Sequence, residues 1–166
     1  MKLRQDHQLR GNPIKPGNFH ATLVEFTKVK EPESVVLEKV IAAANQIDMP
    51  SFVVLFDRAV SFKKNDGNPL VLTGGDGAMG LVKLQRALIG ALHKQWLKIP
   101  PNPHYVPHMT LLYDDRMIAG LVVPSVRMSV QEFVLIRSLS GQGTIWFWAA
   151  GLYPTQKQPP KNSKYG

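Results

Sequence analysis

The sequence predicts an α+β fold of two pseudo-symmetric lobes, each an antiparallel sheet with a helix packed on one face, and an active cleft between them. Two stretches carry apolar residues at helical spacing, and strand-like apolar stretches flank each of them. A short histidine-containing motif occurs once in each half. This repeated order indicates a weak internal duplication, which would direct both motifs into one cleft.

The first half is predicted to contain three strands and one helix. A strand over Phe19–Thr27 carries the first motif, and Pro32 with neighbouring acidic residues then begins an amphipathic helix over Glu33–Gln46. Phe52–Phe62 and Pro69–Thr73 are rich in strand formers and are separated by a turn. We therefore expect these two strands to form a hairpin.

The second half repeats this order after a glycine-rich connection. Leucines at helical spacing predict a second helix that ends near Trp96. The second motif lies on a predicted strand over His104–Tyr113. Two closing strands are predicted at Val126–Arg137 and Thr144–Leu152, with a turn between them.

Length and composition indicate a single folded domain over residues 1–154. The chain has 166 residues, 44% hydrophobic and 19% charged, which is enough to build a sizeable core. We place the lobes at about 12–73 and 78–154, and we assign residues 155–166 to a flexible basic tail. The oligomeric state is not predicted.

Cysteine content and charge narrow the functional classes. The absence of cysteine excludes disulfides, thiolate metal sites and a cysteine nucleophile, and it is compatible with a reducing cytoplasm. No apolar run approaches the roughly 20 residues of a membrane span, so we expect a cytoplasmic protein without a membrane partner. The net charge of +8 favours a polyanionic partner such as RNA, although solubility alone also explains a basic surface.

The two motifs, His20-Ala21-Thr22-Leu23 and His108-Met109-Thr110-Leu111, carry the candidate chemistry. Residues i and i+2 of a strand share a face, so each motif is expected to present an imidazole beside a hydroxyl. One neutral and one protonated histidine can move protons on opposite sides of a phosphorus atom, each transfer contributing about 10²–10⁴-fold. The threonine hydroxyls can donate hydrogen bonds to the non-bridging oxygens.

Other interpretations of the paired histidines remain open at this point. A catalytic zinc usually takes three protein ligands, and the sequence offers no cysteine, no His-x-His and no His-Glu-x-x-His. We therefore predict no metal site. A non-catalytic RNA-binding module would also use a basic surface with exposed aromatic rings.

Tyr105 and Arg137 are candidate substrate contacts, because tyrosine can stack on bases and arginine can pair with phosphates.

The longer segments Pro13-Ile14 … Asn18-Phe19-His20-Ala21-Thr22-Leu23 and Tyr105-Val106-Pro107-His108-Met109-Thr110-Leu111-Leu112 resemble the two-histidine (2H) phosphoesterase superfamily. More narrowly, they resemble its bacterial 2′-5′ RNA ligase branch, whose members act as RNA 2′,3′-cyclic phosphodiesterases. Supporting stretches are Ser61-Phe62, Pro69-Leu70-Val71-Leu72, Phe133 to Ser138 and Trp146-Phe147-Trp148.

The resemblance implies a role for each motif residue. His20 would be the general acid that protonates the leaving 3′ oxygen, His108 the general base that acts on water, and Thr22 and Thr110 the phosphate-binding residues. The implied reaction is hydrolysis of RNA 2′,3′-cyclic phosphate ends to 2′-phosphates without a metal or nucleotide cofactor, accompanied by weaker, reversible 2′-5′ ligation. A phosphodiesterase acting on another small cyclic nucleotide or on a 2′-5′ oligonucleotide remains an alternative.

The start of the chain departs from the pattern of these relatives. They begin with a strand and most of a helix before the first motif, whereas nineteen residues precede His20 here. Lys2 to Arg10 resembles only the end of that helix. We therefore expect an N-terminally incomplete chain in which one sheet has an unpaired edge, and an upstream extension would test this through solubility and melting.

Overall fold

The computed structural model describes residues 2–65, 67–100, 102–139 and 143–151, with the backbone alone for 137–139 and 143–151. The predicted tail at 155–166 therefore lies outside the described residues. The chain divides into two compact units. The first comprises the described parts of 1–25, 54–85 and 101–128, and the second those of 26–53, 86–100 and 129–166. The predicted lobe boundaries stay a prediction.

The secondary structure confirms the α+β class. The helices are α1 (Lys2–Asp6), α2 (Glu33–Ala44) and α3 (Met79–Lys94), with 3₁₀ turns at Pro16–Asn18 and Asp76–Ala78. The strands are β1 (Phe52–Ser61), β2 (Asn68–Thr73), β3 (His108–Asp114), β4 (Leu121–Val130), β5 (Glu132–Leu139) and β6 (Gly143–Gly151). None of the described helices has both the length and the apolar character needed to cross a bilayer.

The strands form two sheets. The larger has the order β3-β2-β1-β4, with antiparallel pairing of β1 with β2 and of β2 with β3, and the smaller is the antiparallel pair of β5 and β6. In the larger sheet Ala59, Leu72 and Met109 lie directly opposite one another on three adjacent strands, and all three are buried. This row places one face of β1, β2 and β3 in the core, and burying each large apolar side chain there contributes about 1.5–3 kcal/mol.

The structure confirms both predicted long helices and the hairpin. α2 begins at Glu33 as expected but ends at Ala44, two residues before the predicted end at Gln46. α3 begins at the residue after a 3₁₀ turn and ends at Lys94, because Trp96 adopts a left-handed backbone with φ of 58°. The antiparallel pairing of β1 and β2 is the hairpin that the turn between them predicted.

The first motif segment does not form the predicted strand. None of the residues in Phe19–Thr27 belongs to a strand, although Phe19 itself is extended at φ −68° and ψ 127°. The chain instead approaches the outer edge of β3 earlier, where Pro13 bridges to Leu112 and the Ile14 amide donates to the Leu111 carbonyl at 2.7 Å. Alternating apolar residues predict an extended backbone, but a strand also requires a hydrogen-bonded neighbour, and the sequence does not specify that neighbour.

The predicted bounds of two further strands, Val126–Arg137 and His104–Tyr113, were also wrong. The predicted strand Val126–Arg137 is two strands, β4 and β5, that are separated at Gln131, where no glycine or proline signals a break. β4 is an edge strand of the larger sheet, the position at which a proline such as Pro124 is tolerated. β3 begins at His108 and not at His104, because residues 102–105 form a turn with a hydrogen bond from Tyr105 N to Asn102 O.

Candidate active site

The second motif lies at the start of β3, and the strand sets the direction of its side chains. Met109 and Leu111 are buried, whereas His108 and Thr110 are only half-buried. This alternation confirms that the imidazole and the hydroxyl share the more open face of the strand.

Three contacts fix the position of the His108 ring. Its Nδ1 lies 2.8 Å from the carbonyl oxygen of Val106, and the Phe62 ring meets it edge-on at 5.0 Å with an interplanar angle of 71°. The Thr73 hydroxyl donates to the Pro107 carbonyl at 3.0 Å and so secures the residue before the histidine. Because a carbonyl oxygen only accepts, Nδ1 carries the proton, and Nε2 is the nitrogen left for chemistry.

The first motif orients its histidine in the same way without a strand. The 3₁₀ turn Pro16–Asn18 ends with a hydrogen bond from Phe19 N to Pro16 O at 3.1 Å, which directs the Asn18 carbonyl. Nδ1 of His20 lies 2.8 Å from that carbonyl oxygen, and the ring is exposed. In both motifs the residue two positions before the histidine supplies the acceptor, so both rings present Nε2.

Tyr105 connects the two motif segments. Its hydroxyl donates to the Thr22 carbonyl at 3.0 Å, and Tyr105 lies three residues before His108. Burial raises the pKa of Tyr105 to about 12, so the hydroxyl keeps its proton and remains a donor at neutral pH. The bond brings the Thr22 backbone beside the segment that leads into β3. A direct contact of Tyr105 with substrate stays a prediction.

An arginine on the site face was not found from the sequence. The register places Arg58 of β1 opposite Thr73 of β2, and Thr73 opposite His108 of β3. Directly opposite residues of an antiparallel pair share a face, so Arg58, Thr73 and His108 form one row. Arg58 is exposed, and its guanidinium makes no hydrogen bond or ion pair within the described part of the chain. Residues 58 and 60 lie on one side of β1, but only the pairing register relates that side to His108.

Of the predicted substrate contacts, Arg137 is described through its backbone alone. Arg137 lies on β5 in the second unit, and its side chain is outside the described set, so its contact with substrate stays a prediction. Phe62 and Thr73 support the His108 segment, although no motif marked their role. Within the described ranges, no group of three or more His, Cys, Asp or Glu side chains is placed to hold a metal ion.

The sequence profile of the 2′-5′ RNA ligase superfamily matches residues 2–142, which include both motifs and the segments that orient them. The chain belongs to this superfamily. Membership supports phosphoesterase activity in general, because these are 2H phosphoesterases, and it leaves the substrate open. No curated protein matches the chain.

Solved structures share the fold of this superfamily member. Escherichia coli LigT complexed with 3′-AMP is 22% identical, with a TM-score of 0.67 over 93% of this chain and 88% of LigT. The protein TT0787 of Thermus thermophilus is 16% identical, with a TM-score of 0.68 over 93% of this chain and 91% of that protein. A structure described as a phosphoesterase is 18% identical, with a TM-score of 0.65 over 92% of this chain and 89% of the other. At these identities the likeness shows a shared fold.

Proposed function

We propose that this protein hydrolyses 2′,3′-cyclic phosphate ends of RNA to 2′-phosphates, with His20 as general acid and His108 as general base. The observation that carries the proposal is the matched orientation of the two rings, each held through Nδ1 by a backbone carbonyl and each presenting Nε2. The bond from Tyr105 to Thr22 supports the view that the two motifs act together. A nucleotide end as ligand agrees with the LigT complexes that contain 3′-AMP or phosphate.

In the proposed reaction, water attacks phosphorus while Nε2 of His108 takes one of its protons. The bond between phosphorus and the 3′ oxygen breaks, and Nε2–H of His20 protonates that oxygen. The products are a 2′-phosphate and a free 3′ hydroxyl. The hydroxyls of Thr22 and Thr110 donate hydrogen bonds to the non-bridging oxygens, where negative charge builds up in the transition state.

RNA is the proposed partner, and 2′-5′ ligation is a weaker, reversible activity of the same site. If a 5′ hydroxyl replaces the water molecule, His108 takes the proton of that hydroxyl and His20 again protonates the leaving 3′ oxygen, so that the ends are joined through a 2′-5′ linkage. The same transfers in reverse cleave that linkage. The net charge of +8 supports a polyanionic substrate over a neutral one.

The test is turnover of a short RNA that ends in a 2′,3′-cyclic phosphate, with the product identified by phosphorus NMR. We expect a 2′-phosphate in the presence of excess chelator. His20→Ala and His108→Ala should each lower kcat by about 10²–10⁴-fold, the usual contribution of one general acid or base. His93→Ala is the matched control, because His93 is exposed on α3 and outside both motifs.

Three results would overturn the proposal. Unchanged turnover in His20→Ala and His108→Ala would show that the imidazoles do no chemistry. Loss of wild-type turnover in chelator, with recovery on addition of zinc, would assign the reaction to a metal. Equal RNA affinity of wild type and variants, with no turnover in any of them, would instead identify a binding module.

A further inference from the structure

Arg58 is an arginine on the site face whose charge has no partner in the described protein. Arg4 donates to the Leu9 carbonyl and Arg116 donates to the Gln8 side chain, whereas the guanidinium of Arg58 makes no such bond to a described residue. Arg58 is also exposed, so its side chain is free to meet a ligand. An unpaired guanidinium on the face of a phosphate site is suited to bind another anion.

The register sets how far Arg58 lies from the reacting phosphate. Adjacent strands are about 4.8 Å apart, so the row from His108 across Thr73 to Arg58 spans about 10 Å. Arg58 therefore starts two strands away from His108 on the same face. From there its long side chain can meet the next charged group of a substrate whose reacting phosphate lies against Nε2 of His108.

The chemistry of the substrate identifies that group. In an RNA that ends in a 2′,3′-cyclic phosphate, the nearest other negative charge is the phosphodiester on the 5′ side of the terminal nucleotide. We propose that Arg58 binds this phosphodiester, so that the enzyme prefers an RNA end to a free nucleoside 2′,3′-cyclic phosphate. The inference rests on the proposed function and adds to it a residue that selects the polymeric substrate.

The experiment compares three substrates that share the same reacting end. The first is a nucleoside 2′,3′-cyclic phosphate, which has no second charge. The second is a dinucleotide with a 2′,3′-cyclic end, and the third is the same dinucleotide with a neutral methylphosphonate in place of its phosphodiester. Wild type and Arg58→Met are assayed on all three, with Arg86→Met, an exposed arginine of α3, as the matched control. Thermal unfolding verifies that each variant is folded.

We expect Arg58→Met to lower kcat/KM by about tenfold on the dinucleotide, the size of one charge-assisted contact. Its kcat/KM on the nucleoside cyclic phosphate should match that of wild type and of Arg86→Met. The neutral linkage should cost wild type the same factor, and combining it with Arg58→Met should cost no more, because both changes remove one interaction. Arg58→Lys should recover part of the loss.

The two proposals fail in distinguishable ways. An equal loss on all three substrates would overturn the inference, because it would mean that Arg58 acts at the terminal phosphate or stabilises the fold. No loss on any of the three substrates would also overturn it. Additive effects of Arg58→Met and the neutral linkage would also overturn it. If wild type turned over none of the three cyclic ends, the proposed function would fail before Arg58 was tested.

Discussion

Each imidazole is oriented by a backbone carbonyl group, which belongs to the residue two positions before the histidine in both motifs. A carbonyl oxygen only accepts, so each ring donates from Nδ1 and keeps Nε2 for the reaction. The same backbone arrangement therefore orients the ring in either proposed role, the base at His108 and the acid at His20.

The proposed acid and base make activity depend on pH in both directions. We expect kcat/KM to follow a bell-shaped curve, because the reaction needs a neutral His108 and a protonated His20 at the same time. The residual activity of each His→Ala variant should lose one limb of the curve. The measurement is the initial rate of cyclic-phosphate hydrolysis at constant ionic strength across the pH range in which the protein stays folded.

Tyr105 acts as a positioning residue through its bond to the Thr22 carbonyl. Tyr105→Phe should lower kcat several-fold with a smaller change in KM, since it loosens the first motif without removing a group of the reaction. It should also lower the free energy of unfolding by about 0.5–1.5 kcal/mol, the net value of one hydrogen bond. Tyr113→Phe is the control, because Tyr113 is 49% exposed. Equal kinetics for the two variants would contradict the assignment.

Tyr105 also predicts a stability change at high pH. Its pKa is about 12 in the folded protein against 10.0 for the free side chain, so the unfolded chain loses its proton first as pH rises. The stabilisation is complete below pH 10 and is lost as pH rises through 12. Urea unfolding across this range should show a smaller pH dependence in Tyr105→Phe than in wild type.

At the scale of elements, the end of β3 holds the N-terminal segment through one carboxylate. Asp114 is buried and accepts hydrogen bonds from the amides of Arg10 at 2.6 Å, Gly11 at 2.7 Å and Arg116 at 2.9 Å. The amide of Arg116, followed by that of Gly11, holds the pKa of Asp114 below its usual value. The carboxylate therefore joins two distant parts of the first unit.

Asp114→Asn should lower the free energy of unfolding at neutral pH by about 1–3 kcal/mol, because an amide cannot accept from three donors as a carboxylate does. The native pKa is depressed, so its stabilisation is present above the unfolded value of 3.8 and is lost as pH falls through the folded value. The variant should therefore lose less stability in acid than wild type. Asp115→Asn, at an exposed neighbour, is the control for urea unfolding at each pH.

Gly11 has no room for a side chain where its segment meets β3. A Cβ at Gly11 would lie 1.9 Å from the Tyr113 carbonyl oxygen, whereas a Cβ at Gly17 would meet nothing within 4 Å. Gly11→Ala should destabilise the protein by about 2 kcal/mol or more, since the backbone must move, and Gly17→Ala should be nearly neutral. Thermal unfolding of the two variants measures the difference. Equal melting temperatures would show that the segment does not pack as described.

At the scale of the whole molecule, the sequence predicted what depends on local pattern. Apolar spacing located α2 and α3, and the Lys-Asn-Asp-Gly turn located the hairpin of β1 and β2. The His-x-Thr repeat identified the candidate histidines, and β3 confirmed the shared face of the second copy. These features require no knowledge of distant partners.

Features that depend on contacts between distant segments could not be predicted. The first motif segment belongs to no strand among the described residues, and the break at Gln131 has no local signal. Arg58 could be assigned to the site face only from the register of three strands, which places it in one row with His108. The bond from Tyr105 to Thr22 spans 83 positions, and a single sequence does not reveal such a contact.

Hydrogen bonds from residues 10–14 to strand β3 determine how the protein should lose activity. This short segment is held by Asp114 and Leu111 of β3 and continues to His20, whereas His108 belongs to β3 itself and is paired with β2. Local opening of this segment would release one histidine while the sheet stays paired. Inactivation should thus precede melting: on heating or in urea, hydrolysis should fail before the circular dichroism of the sheet changes, and it should return at once on cooling or dilution.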